Sequence, residues 1–148
     1  MPRRQPIFDG HNDALLRLWK AGPSALSHFS SGGPGHIDLP KARKGAFVGG
    51  FFAIFVPGSL KFDLSQLQKE TYDVPLPEEL IEAEALKAVI EQASILLSLE
   101  AQGHLCICKS VAEIQESLAK GILAAVLHME GCLLYTSPSP RDLNPNRG

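Results

Sequence analysis

The stretch that most limits the fold is residues 47–56, Phe-Val-Gly-Gly-Phe-Phe-Ala-Ile-Phe-Val, apolar at odd and even positions alike. A strand wetted on one face alternates apolar and polar residues. A run apolar on both faces suits a strand of a parallel sheet covered on both sides. Pro57-Gly58 ends the run. Residues 7–11 (Ile-Phe-Asp-Gly-His) read as a second short buried strand ending in polar residues. Residues 122–127 read as another, running out at His128-Met129-Glu130.

Helical signals lie between these strands. Residues 14–20 suit one or two turns. Residues 21–35, rich in Gly, Pro, Ser and His, read as a loop, and a mixed loop runs from 58 to about 76. The clearest helix is 77–101: Pro77 fits a first helical position, and Glu78 and Glu79 favour the positive end of the helix dipole. Leu86, Val89, Ile90, Ala93, Leu96 and Leu97 recur there at helical spacing. Gly103 is the stop, and 105–108 form a short strand. Ser110-Val111-Ala112-Glu113 has the form of a capping box before a helix ending near Lys120-Gly121. Strands and helices in alternation, with polar residues at strand ends, predict an α/β protein with a parallel sheet.

Composition narrows the function classes. The 148 residues are 45% apolar and 20% charged, ordinary for one folded domain. A net charge of −2 makes no electrostatic case for nucleic acid or an anionic membrane surface. No run reaches the roughly 18 apolar residues of a membrane span. The basic start is followed by only Pro6-Ile7-Phe8 before Asp9, too short for a signal-peptide core. Cys106 and Cys108 are too close for a local disulfide loop and lack a second pair for a structural zinc site. They read as reduced strand residues of a cytoplasmic protein. The segment 132–148 breaks the α/β pattern. Residues 132–142 resemble a translated sequencing adapter, so this segment is expected to be a non-native tail, a natural Pro-rich tail being the alternative.

The chemistry sits at strand ends. Side chains two apart on a strand share a face, so His11 and Asp13 are placed to offer an imidazole nitrogen and a carboxylate oxygen to one metal ion. Asp9 has the same parity and is a candidate to orient a ligand from behind. Taken alone, such a triplet is usually incidental, but barrel active sites gather at the C-terminal ends of strands. Glu130 follows a buried strand and is placed to reach the same mouth; a solvated strand-end glutamate is the bland alternative. His128 shares its parity, with a hydrogen-bonded structural histidine as the preferred reading. Asp38, with His36, is read as docking a loop or capping a helix, and Trp19 as packing. His28 and His104 are read as surface residues, and Gly49 and Gly50 as leaving room at a barrel mouth.

Four segments, in this order and spacing, resemble the membrane (renal) dipeptidases, peptidase family M19. They are Phe8-Asp9-Gly10-His11-Asn12-Asp13, Gly35-His36-Ile37-Asp38-Leu39-Pro40, residues 49–57, and Leu127-His128-Met129-Glu130-Gly131. The resemblance covers about residues 6–131 and is nearest to bacterial, unanchored members. It implies a partial (β/α)8 TIM barrel of the metal-dependent hydrolase type, first three to four strands only, occupying residues 1–131. It also implies a dinuclear zinc enzyme hydrolysing dipeptides, with His11 and Asp13 on one Zn2+ and Glu130 bridging both, and a homodimer for the intact protein. The family's later histidine ligands, its substrate-contacting histidine and arginine and its proton-handling aspartate have no counterpart here. The chain as given is therefore expected to be an inactive fragment. Two alternatives stand beside this: another amidohydrolase-type barrel enzyme, and a non-catalytic α/β interaction module with a genuine Pro-rich tail. Amidohydrolase barrels usually open with H-x-H, and Asp13 departs from that.

Overall fold

The structure, a computed structural model, describes residues 5–58 and 79–129. In chain order the elements are β1 (Ile7–Asn12), α1 (Ala14–Lys20), a 3-10 turn (Gly22–Ser24), α2 (Ala25–Ser30), α3 (Leu39–Gly45) and β2 (Phe47–Ile54). They continue with α4 (Glu82–Ala101), β3 (Cys106–Ile107), α5 (Val111–Ala119) and β4 (Ala124–Met129). The four strands form one sheet in the order β1-β2-β4-β3, and every neighbouring pair is parallel. The α/β architecture expected from the sequence is thus the one observed. No described helix is long and apolar enough to cross a membrane.

The helix layer covers one face of the sheet. Phe52 and Ile54 of β2 pack there with Leu15 and Leu18 of α1, Phe29 of α2 and Leu96 and Leu99 of α4. All are essentially fully buried, and each such side chain contributes on the order of 1.5–3 kcal/mol through burial. The opposite face is open: Phe51 is 37% exposed. The sheet is therefore covered on one side among the described residues, not on both. Strand β1 also differs from its expected burial. It lies at the sheet edge, and Ile7 and Phe8 are exposed.

Gly49 and Gly50 serve close approach between strands. A Cβ on Gly49 would sit 2.9 Å from the Phe8 ring, and one on Gly50 2.8 Å from the Asp9 Cβ. The nearest atom to that Gly49 Cβ would be the Ala124 carbonyl oxygen of β4, so Gly49 lets both β1 and β4 lie tightly against β2, and Gly50 does so for β1.

Three elements depart from the sequence reading. Residues 21–35 hold α2, because Ala25 and Phe29, one helical turn apart, are both buried in the core. Packing of Phe29 overrides a loop-like composition. Helix α4 starts at Glu82, after an extended Ile81, and Glu79 lies outside it; Pro77 and Glu78 fall outside the described residues. Its buried stripe is Ala88, Gln92, Leu96 and Leu99, whereas Leu86, Ile90 and Leu97 are exposed. The last strand before the tail runs through His128 to Met129.

Strand β3 is only two residues long and pairs Cys106 with Ala124 and Ile107 with Ala125. It stops because the chain turns at once into the α5 cap. The Ser110 side chain accepts from the Glu113 backbone N–H and the Glu113 carboxylate accepts from that of Ser110, the capping box read from the sequence. Strand β4 accordingly pairs along its length with β2.

Candidate metal centre

The pairing of β1 with β2 slips between Asp9 and Asn12: Asp9 lies opposite Gly50 and Asn12 opposite Phe52. Three residues of β1 thus span two of β2, and strict alternation fails there. Phe8 and His11 reach the open face, where they meet Phe51 and His128 respectively. Asp9 and Asn12 go together elsewhere. The Asn12 Nδ2 donates to the Asp9 carboxylate at 3.1 Å. The parity argument that grouped Asp9 with His11 is interrupted by this one extra residue.

Asp13 leaves the strand and stands at the start of α1. An aspartate there ordinarily spends its carboxylate on a helix backbone N–H, but Asp13 makes no such bond. Asn12 does that work, its Oδ1 accepting from the Ala14 N–H at 3.2 Å. The Asp13 carboxylate is left 59% exposed, with its Oδ1 3.5 Å from the His11 Nε2. Sequence reasoning missed this role of Asn12. The signal was present, since an asparagine just before a helix start is a capping residue by type.

The donor spacing suits a metal ion. Two ligand atoms at about 2.0–2.2 Å from a tetrahedral zinc lie about 3.3–3.6 Å apart, and the His11–Asp13 separation of 3.5 Å falls within that span. Imidazole and carboxylate together are a normal zinc donor set. Among the described residues no group of three His, Cys, Asp or Glu side chains is assembled. Glu130 lies outside the described residues.

His128 extends the site across the sheet. Its ring meets that of His11 edge-to-face, centroids 5.7 Å apart and planes at 80°. It also meets Phe51 at 6.1 Å and 85°, and Phe51 in turn meets Phe8 at 6.1 Å and 87°. His128 therefore contacts two rings, those of His11 and Phe51.

Beside Asp13 lies a cavity of about 340 Å³ lined by Asn12, Asp13, Arg17, Gly35, His36 and Ile37. Arg17 Nη2 donates to the Ile37 carbonyl, tying the 35–37 loop to α1. Gly35, at φ +96°, has no room for a Cβ against the Arg17 side chain. The same segment ends in Asp38, which caps α3 by accepting from the Lys41 N–H at 2.8 Å, as its sequence position suggested. Burial alone would raise the Asp38 pKa. Hydrogen bonds from the Lys41 side chain and from the backbone N–H groups of Lys41 and Gly33 outweigh it and hold the carboxyl below its ordinary value. Trp19 packs half-buried and donates its indole N–H to Glu91 at 2.7 Å. His28 and His104 are both half-buried rather than on the open surface.

The chain as a whole is similar to known proteins. The family model for membrane dipeptidase, peptidase family M19, matches residues 1–140. The uncharacterized protein of the PQQ-III 3′ region of Acinetobacter calcoaceticus is 34% identical over 151 residues, covering 99% of this chain and 47% of that protein. Dipeptidase AC, a metallopeptidase of family M19, superposes with a TM-score of 0.75 at 38% identity, over 85% of this chain and 37% of its own. A metallopeptidase from Rhodobacter sphaeroides, solved with a phosphinate mimic of the dipeptide L-Ala-D-Ala, superposes with a TM-score of 0.78 at 34% identity, over 88% and 39% of the respective chains. The chain thus spans less than half the length of these relatives. Its four-stranded parallel sheet and helices form part of the M19 barrel fold. On the family match and the superpositions together, the chain belongs to peptidase family M19, the membrane dipeptidases.

Proposed function

We propose that this chain is the N-terminal part of a dinuclear zinc metallopeptidase that hydrolyses dipeptides, and that the chain as it stands turns over no substrate. The observation that carries the reading is the His11–Asp13 pair at the C-terminal end of β1, its two donor atoms 3.5 Å apart. The dipeptide mimic held by the Rhodobacter sphaeroides relative supports a dipeptide as substrate. Zinc, when bound, supplies Lewis acidity that activates water and polarises a peptide carbonyl.

The chain's own residues divide the remaining work. His11 and Asp13 would hold one ion, and Glu130 would supply a further carboxylate to the metal centre. Asn12 takes over the α1 cap, so that the Asp13 carboxylate stays available. Asp9 acts one bond further out, by holding the Asn12 amide. In this reading residues 1–131 are the native portion and 132–148 a non-native tail. A cytoplasmic setting and a homodimeric intact enzyme belong to the same reading. Inactivity follows from how little of the fold is present: the chain covers 37% of dipeptidase AC, and a complete (β/α)8 barrel takes about 250 residues.

The test uses the purified 148-residue chain, stripped with a chelator and reloaded with zinc. Elemental analysis is expected to find weakly held zinc that His11→Ala or Asp13→Asn removes. No dipeptide hydrolysis above a metal-free control is expected. Zinc retention indifferent to both substitutions would overturn the metal centre, and clear turnover would overturn the inactivity.

A further inference from the structure

We infer that His128 is a positioning residue for His11, acting through its ring and not through a nitrogen; the inference rests on the metal-centre reading above. Strands β1 and β4 are not neighbours, since β2 lies between them. Strands two places apart are separated by roughly 9–10 Å, so side chains on them meet only across a small intervening residue. The residue directly opposite His128 in the β2–β4 register is Ala53, small and fully buried. The two imidazoles come to 5.7 Å between centroids.

His128 is itself in edge-to-face contact with the Phe51 ring, which in turn meets Phe8. Each of the three contacts is edge-to-face, with planes at 80–87°. This geometry is directional, because the positive edge of one ring seeks the negative face of the next. His11 stands at the end of the series, held by His128 through its ring while its Nε2 lies toward Asp13. Without His128 the imidazole of a 42% exposed side chain loses its neighbour across the sheet and turns more freely. A ligand whose orientation is no longer fixed binds metal more weakly, here by up to about tenfold, the strength of one edge-to-face ring contact.

The experiment compares the full 148-residue chain with its His128→Phe and His128→Ala variants, with backbone NMR spectra verifying the fold. Two readouts are taken: the His11 ring-proton shifts in metal-free protein, and the affinity for Co2+ followed by its visible absorption. His128→Phe is expected to keep the ring-current-shifted His11 signals and to bind Co2+ within about twofold of the parent. His128→Ala is expected to lose those shifts and to bind up to about tenfold more weakly. If the alanine variant does not fold, His128→Gln replaces it, having similar bulk but no ring. Equal binding and unchanged His11 shifts in the ringless variant would overturn the inference. So would a phenylalanine variant as impaired as the ringless one, since a nitrogen would then matter. If the parent chain binds no Co2+, the metal-centre reading fails, and the metal-free His11 signals alone decide whether His128 orients the ring.

Discussion

The side-chain amide of Gln92 closes both backbone groups of Phe55: Oε1 accepts from the Phe55 N–H at 3.3 Å, and Nε2 donates to the Phe55 carbonyl at 2.7 Å. Phe55 is the first residue beyond β2. Gln92 is the polar member of the buried stripe of α4 and is fully buried. It does for the strand end what a neighbouring strand would otherwise do. Gln92→Ala leaves both groups without this partner and is expected to cost about 2–4 kcal/mol. Urea unfolding should show a lower midpoint with little change in slope.

Asn12 and Asp13, adjacent in sequence, are predicted to respond in opposite ways. Asn12→Ala removes the α1 cap and should destabilise the fold by about 1 kcal/mol. Asp13→Asn removes a carboxylate that caps nothing and should change stability by no more than about 0.5 kcal/mol, while lowering zinc affinity sharply. Thermal melts and metal titrations of both variants check the pattern. A large loss of stability in Asp13→Asn would contradict the division of labour.

Asp38 gives the fold a dependence on acid. Its carboxyl pKa is lowered in the folded state from an ordinary value of 3.8. A depressed folded pKa contributes stability that is fully present above 3.8 and is lost as pH falls through the folded value. Asp38→Ala is expected to cost about 1–2 kcal/mol near neutrality, with the gap from wild type narrowing below pH 3.8. Denaturant melts from pH 6 down to acid follow it.

The two strand-edge cysteines should differ in reactivity. Burial pushes the Cys108 thiol up from its ordinary value of 9.0, and the neighbouring Cys106 and Glu113 charges push it the same way, against a hydrogen bond with Ser117. Cys106 is only partly buried. Alkylation of the native chain, mapped by mass spectrometry, is expected to label Cys106 well before Cys108.

What the sequence made legible was whatever depends on local pattern. The doubly apolar run at 47–56 places β2, and Ser110 with Glu113 places the start of α5. The pairing of His11 with Asp13 followed from motif and position. What it hid depends on partners distant in sequence. Leu86 and Ile90 look like core residues by spacing, yet α4 turns its Gln92 face inward because Phe55 needs an amide there. Phe29 makes a helix of a stretch whose composition argues for a loop. The slip in β1 depends on how β2 lies against it, and no alternation in 7–12 reveals it.

The shortness of β3 has a consequence for any longer barrel built on this sheet. Cys106 and Cys108 donate their N–H groups to the carbonyls of Leu123 and Ala125, so the outer edge of β4 is taken up as far as Ala125. A further parallel strand could claim that edge only from Val126 onward. Closing a sheet into a cylinder requires a fixed stagger between neighbouring strands, and the two residues of β3 hold the first part of that edge of β4 in one fixed register.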